Sequence, residues 1–373
     1  MSKVLKEQKL IFDKHLEEYN KEEDRCKNIF GIFVVESFKY HFFNYRGRQT
    51  QISEFGEIYK FIDTMQENRF EENVRDGLLG AITDNEFRLF KKITKEIYDS
   101  SNFFQSRVFG ISTLSRAIVQ YRILKSVCPM GKVLEVGPGS GYLGALICND
   151  DEYKYTGYEI TQSFYITQKF LWESVTNKEV HDVFNSFKYG SINHMPWFKF
   201  ADLNFDLPKY DCITANHVFA EMHPWALKFS IKRLYECLEA NGYLVCESLG
   251  DSSLISNEQV LNEIILGGFE LVHRGLIEGV TKFNECYVFK KNKSTGKGNV
   301  DRIPPLTLAM LSLVKFFKIR RIINLFKGHP KCKGIFTKNN LEYSIDDMNS
   351  YVSSIDPNID PSSNESFLKY IDG

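Results

Sequence analysis

The sequence lacks the marks of several protein classes. Its eight cysteines, Cys26, Cys128, Cys148, Cys212, Cys237, Cys246, Cys286 and Cys332, never form a CxxC pair. Such spacing suggests neither a zinc knuckle nor a disulfide framework, and the thiols read as reduced ones of a cytoplasmic protein. Lys and Arg total 47 against 48 Asp and Glu, a net charge of -1, so no whole-molecule basic field gathers nucleic acid. No apolar run reaches the length of a membrane span. The opening MSKVLKEQKLIFDKHLEE interrupts its apolar residues with charge every few positions, unlike a signal peptide. There is no internal repeat. What remains is a chain of 373 residues, 43% hydrophobic and 14% aromatic, with enough apolar surface for at least one full core. A small or sugar-like partner is the expectation.

The chain divides into three by pattern. Residues 1–125 read as helical and rich in Phe and Tyr, a lid or substrate wall. In them Thr83 and Glu86 form a capping box ahead of Phe87, Phe90, Ile93 and Ile97, and a second helix after Ser112 carries Leu114, Ala117, Ile118, Tyr121 and Leu124 on one face. Residues 126–291 alternate strand and helix, which implies a mainly parallel sheet covered on both faces. Strands are expected at 132–136, 153–158, before Gly190, at 211–215, and at 242–246 after an Asn241-Gly242 turn; helices are expected at 163–175, 224–238 and 258–266. Two further runs, 269–274 and 286–290, suggest a terminal antiparallel pair. Residues 292–373 open with a polar linker, followed by the apolar segment 306–317, the basic segment 315–333 and an acidic tail. The charges of 306–333 fall on several sides of a helix, so a cap on the main domain is favoured over peripheral membrane contact.

The stretch VLEVGPGSGYLG, Val133 to Gly144, is an anion-binding loop in either of two registers. Gly139, Gly141 and Gly144 fit the GxGxxG of dinucleotide sites, but start three residues past the strand. Gly137, Gly139 and Gly141 give GxGxG directly after it, with Glu135 two positions ahead. An acid there is at odds with a pyrophosphate and suits a cationic ligand, such as the ammonium and sulfonium of S-adenosylmethionine. Glu159, twenty residues after Gly139, closes a second strand where a carboxylate can hold ribose hydroxyls.

Glu135 to Gly141, Glu159, the strand after Asn241-Gly242 and the closing GGF with two strands together resemble the class I S-adenosylmethionine-dependent methyltransferases, over roughly residues 126–291. That resemblance implies a Rossmann-like, seven-stranded mixed α/β sheet with its last strand inserted antiparallel. It also implies that Gly137, Gly139 and Gly141 contact the methionine part of the cofactor and Glu159 its ribose. Glu221-Met222 and HMPWF at His194 to Phe198 resemble a group of bacterial sugar O-methyltransferases, which points to a sugar or glycan precursor as acceptor.

In a doubly wound sheet the ligand lies across the carboxyl ends of the strands. The strand 211–215 runs into ANHVFAEMHPWAL, which offers Asn216, His217, Glu221 and His223. Methyl transfer is an in-line displacement in which the protein aligns the reactants and removes a proton if the acceptor is a hydroxyl. His217, nearest the strand end, is the first choice of base; Glu221 orients it if the turn is helical, His223 is the alternative base, and Asn216 is assigned to the cofactor. His194 is a weaker candidate, and Trp197 and Phe198 beside it read as core more readily than as a stacking platform. HxxxExH matches no zinc signature, so no metal is expected. The competing readings are an NAD-dependent oxidoreductase, a methyltransferase acting on a peptide, amine or other small metabolite, and a non-catalytic nucleoside-binding module.

Overall fold

The computed structural model describes residues 3–39, 111–188, 190, 192–250, 255–276 and 285–292, with 52–53 and scattered positions between 83 and 95. The linker beyond Asn292, the segments 306–317 and 315–333 and the acidic tail lie outside the described residues. Apolar runs bounded by turns form the strands β1 (Gly131–Val136), β2 (Tyr153–Glu159), β3 (Val180–Asp182), β4 (Ile192–Pro196), β5 (Tyr210–Ala215), β6 (Leu238–Glu247), β7 (Phe269–Leu276) and β8 (Glu285–Lys291). They make one sheet in the order β3-β4-β2-β1-β5-β6-β8-β7. All neighbours from β3 to β6 are parallel, whereas β8 is antiparallel to both β6 and β7. This is the expected mixed sheet with its inserted antiparallel strand. It has eight strands rather than seven: the strand expected before Gly190 is the three-residue edge strand β3, and β4, which begins after Gly190, is the one that was not expected.

Two other expectations are corrected. Asn241-Gly242 lies inside β6 and does not end before it, because a register irregularity between Tyr210 and Cys212 lets the strand continue through the pair. HMPWF, where no strand was expected, closes one: His194, Met195 and Pro196 end β4, and Trp197 and Phe198 begin the short helix α5 (Trp197–Phe200), all five buried.

Helices cover both faces. On one side α2 (Ile111–Val127) and α3 (Tyr142–Cys148) pack on Val133, Tyr155, Cys212 and Val245. On the other, α6 (Pro224–Cys237) and α7 (Asn257–Leu266) pack on Leu134, Val136, Ile213 and Leu244. The strict alternation of the strand residues between the two cores is the period-two signature of a sheet buried on both faces. The capping box on Thr83 forms as expected: its amide donates to Glu86 Oε2 at 2.9 Å and the Glu86 amide to Thr83 Oγ1 at 3.3 Å.

The 37-residue helix α1 (Lys3–Lys39) is part of the second core. Phe12, Leu16, Tyr19, Glu23, Cys26, the half-buried Phe30, Val34 and Phe38 recur every three or four residues and pack against α4 (Gln162–Thr176), α5 and α6. Phe12 stacks on Phe170, Tyr19 meets Tyr165 and Phe198, and Phe38 stacks on Trp197, whose Nε1 donates to the buried Glu23 at 2.7 Å. His15 stacks on Tyr165 and lies 3.6 Å from Asp182, which also takes bonds from Tyr165 and Lys169.

Burial holds the His15 ring down at about 4, Asp182 opposing and Lys169 adding to the effect. Its folded value lies below the ordinary 6.5. The stability that depends on the neutral ring is therefore complete above pH 6.5 and is lost as pH falls through 4. His15→Phe, which preserves the stack, is expected to remove up to about 3 kcal/mol of that acid loss. Thermal unfolding of the variant and the native chain at pH 7, 5 and 4 measures it, and parallel curves would contradict the assignment.

Candidate active site

The loop after β1 turns on three glycines with left-handed backbone, Gly137 (φ 64°), Gly139 (φ 56°) and Gly141 (φ 77°). Each amide already has a protein acceptor: Gly137 donates to Tyr158 O at 2.8 Å, Gly141 to Pro138 O at 2.9 Å, and Gly139 to Glu159 Oε2 at 3.1 Å. The carbonyls of Gly139 and Gly141 accept from Gln168 Nε2 and Trp172 Nε1. The loop is thus fixed before any ligand arrives. Gly144 has a different role: it lies in α3, and a Cβ there would sit 2.4 Å from the Tyr155 hydroxyl and 2.9 Å from Trp172. The fourth glycine admits an aromatic pair, so the register Gly137, Gly139 and Gly141 is the one that forms the loop.

Glu135 and Glu159 project from β1 and β2 to the α2–α3 side and are 4% and 3% exposed. Glu135 accepts from Tyr155 Oη at 2.6 Å, and burial, against that bond, pushes its carboxyl up to about 8. Glu159 accepts four bonds, from the amides of Gly139, Ile160 and Thr161 and from Gln168 Nε2, yet burial outweighs them and raises its pKa. These donors fill the lone-pair sites of the carboxylate, so a ribose here would exchange for one of them. Gln168, which the sequence did not single out, links the loop to β4: its Oε1 takes a bond from His194 Nε2 at 2.8 Å. His194 is fully buried, stacked 3.8 Å from Tyr165, and burial holds it well below the ordinary imidazole range, with His15 and Lys169 adding to this. It is a core residue that braces Gln168, and not a base.

The second cluster lies where β5 and β6 end. His217 follows β5 with a left-handed backbone (φ 58°), and Ser248 follows β6 in the same state (φ 62°). Their loops are joined by His217 N to Ser248 O at 3.3 Å and Ala220 N to Leu249 O at 2.8 Å. Left-handed backbone ends any helical continuation from His217, and Glu221 lies instead in a separate 3₁₀ turn, Phe219–Glu221. The carboxylate at the His217 ring is Glu247, with Oε2 3.3 Å from Nε2. Glu247 is buried, and Arg116 Nε reaches both its oxygens, at 2.9 and 3.1 Å, while Gln120 Nε2 reaches Oε2 at 2.6 Å. Burial pushes this carboxyl up, but His217, Arg116 and Gln120 outweigh it and hold the group at about 2. Asn216 spans the same strands, donating to Thr214 Oγ1 and accepting from the Glu247 amide. His223 caps α6, its Nδ1 accepting from Trp225 N at 3.3 Å.

Glu247, Arg116 and Gln120 escaped the sequence reading, though two signals were present. Glu247 closes a strand as Glu159 does, and Arg116 and Gln120 are polar residues four apart beside an apolar helix face. Among the described residues no cluster of three His, Cys, Asp or Glu could hold a metal ion, and no helix is long and apolar enough to cross a membrane.

The edge formed by β1 and β2 also selects between cofactors. Among the described residues no Lys, Arg or His pairs with Glu135 or Glu159. Two buried carboxylates without a cation suit a positively charged ligand and oppose a pyrophosphate. The family model described as a methyltransferase domain matches residues 106–275. No curated protein sequence matches the chain. Among solved structures, a methyltransferase from Pyrococcus furiosus is 12% identical, with 47% of this chain and 83% of that one covered and a TM-score of 0.34. The N-methyltransferase NodS from Bradyrhizobium japonicum is 13% identical (48% and 95% covered, TM-score 0.34). CalS10, an amino pentose methyltransferase from Micromonospora echinaspora in a structure with S-adenosylmethionine bound, is 12% identical (52% and 97% covered, TM-score 0.35). Residues 106–275 match a methyltransferase domain, and the chain is an S-adenosylmethionine-dependent methyltransferase with a Rossmann-like, mainly parallel sheet.

Proposed function

We propose that the enzyme methylates a hydroxyl oxygen of a sugar or glycan precursor, with His217 as general base. The observation that carries this is the place of His217: it lies two residues past the end of β5, beside the glycine loop, where Val218 packs so closely on Gly137 that a Cβ there would lie 2.7 Å from Val218 Cγ2. The ring is 32% exposed and so within reach of an acceptor. When bound, S-adenosylmethionine supplies an electrophilic methyl carbon whose bond to sulfur breaks as the acceptor oxygen's new bond forms, leaving a neutral thioether. Glu135 would lie at the charged end of the cofactor, whose cation would draw its carboxyl down from about 8, and Glu159 at the ribose, while Gln168 and Trp172 keep the loop in shape. His217 takes the hydroxyl proton, which a sugar alcohol retains at neutral pH until a base removes it.

The geometry favours His217 over His223, because the Nδ1 lone pair of His223 is already used on the Trp225 amide. Sugar as the acceptor class rests on the resemblance carried by HMPWF and Glu221-Met222. A methyl-transfer screen against nucleotide sugars, glycans, peptides and amines tests it: transfer to a sugar hydroxyl is expected, and transfer only to peptides or amines would reject it. With the acceptor in hand, His217→Ala should lower kcat about 100-fold with the affinity for S-adenosylhomocysteine within twofold of native. Unchanged kcat would remove His217 from the base role.

A further inference from the structure

Resting on that base role, we infer that Glu247 is the positioning residue for His217: it holds the ring proton on Nε2 and so leaves Nδ1 as the nitrogen that receives the acceptor's proton.

A neutral imidazole has one N–H and one lone pair, and the neighbour of one nitrogen decides the state of the other. Nε2 is a buried atom that makes no well-aligned hydrogen bond, and the ionised Glu247 lies 3.3 Å from it, so the pull on its proton is electrostatic. That carboxylate cannot swing aside, since Arg116 holds both oxygens and Gln120 holds Oε2 at 2.6 Å. Nor is His217 needed to compensate the buried charge, which Arg116 already does, so the third partner calls for another explanation. The backbone points the same way. His217 and Ser248 are two non-glycine residues with left-handed backbone, on loops bonded to each other, and the Glu247 amide is tied to Asn216 Oδ1 at 2.8 Å. Left-handed backbone disfavours ordinary side chains, and strain of this kind persists where the surroundings over-determine it. Here it fixes the distance between ring and carboxylate. The consequence reaches back to α2, whose Arg116 and Gln120 set the aim of the ring by holding Glu247.

The test needs no acceptor at first. In protein labelled with 15N-histidine, two-bond proton–nitrogen spectra assign the His217 ring by its loss in His217→Asn. A proton on Nε2 in the neutral ring is expected; a proton on Nδ1 would overturn the inference. Glu247→Gln, which keeps the shape and removes the charge, should weaken that tautomer preference and lower kcat at least tenfold, with KM for S-adenosylmethionine and S-adenosylhomocysteine affinity unchanged. Native kcat in Glu247→Gln, alongside an inactive His217→Asn, would overturn the role of Glu247 and spare that of His217. An active His217→Asn would overturn the base assignment itself. Should Glu247→Gln fail to fold, the native tautomer still decides.

Discussion

Replacing Gly139 by arginine is expected to abolish binding of S-adenosylhomocysteine, an effect of more than about 1,000-fold in affinity. Three causes act together. Left-handed backbone at φ 56° costs a side-chain-bearing residue about 1–2 kcal/mol. The residue is held at both ends, by Glu159 through its amide and by Gln168 through its carbonyl, so any shift to relieve that strain breaks the contacts that shape the loop. Above all, a guanidinium attached at this point reaches the buried carboxylates and becomes the cation that the edge otherwise lacks, in competition with the ligand. Calorimetry on native and variant protein measures the effect. Gly139→Ala, which carries the strain without the charge, should retain weak binding. Equal affinity in the arginine variant would show that the cofactor does not lie on this loop.

Glu159→Ala is expected to damage the fold as well as the site. Its carboxylate takes the amides of Gly139, Ile160 and Thr161 and the Gln168 side chain. Truncation leaves all four donors without their acceptor in a buried place. Each orphaned donor costs about 1–3 kcal/mol, so even with partial relaxation and entry of water the loss should be about 4 kcal/mol. A ribose contact alone would predict weaker cofactor binding at unchanged stability. Denaturant unfolding monitored together with S-adenosylhomocysteine titration separates the two. A stable variant with weakened binding would mean that the ribose, and not the glycine loop, is the main partner of Glu159.

The sheet was legible because its strands are apolar runs separated by turns, and the order of strand and helix leaves few parallel topologies. Glu135 and Glu159 were legible for a related reason: an acid at a strand end interrupts an otherwise apolar pattern. Two kinds of feature were not. Strand β4, Ile192–Pro196, runs without a turn into the aromatic residues of α5, so its polar Asn193 and His194 hid a strand that is buried only by its neighbours in the sheet. The partner of His217 comes from residue 247, thirty positions on, where local spacing offered Glu221; only the left-handed turn at His217 removes that nearer acid. His194 misled in the opposite sense. Its stack on Tyr165 and its bond to Gln168 depend on residues distant in sequence, so nothing in HMPWF distinguishes a core histidine from a base.

Helix α1 has a consequence for how the chain acquires its fold. Its contacts are with residues made much later: Asn20 accepts from Gln162 across 142 positions, and Glu23 from Trp197 across 174. During synthesis the aromatic stripe from Phe12 to Phe38 has no surface to cover until α4, α5 and α6 exist. Contacts of such long sequence separation are slow to close, and an uncovered apolar helix is a point of self-association meanwhile. Helix α1 therefore leaves the ribosome well before the elements that bury it, and a chain cut short before residue 197 would present that stripe to solvent.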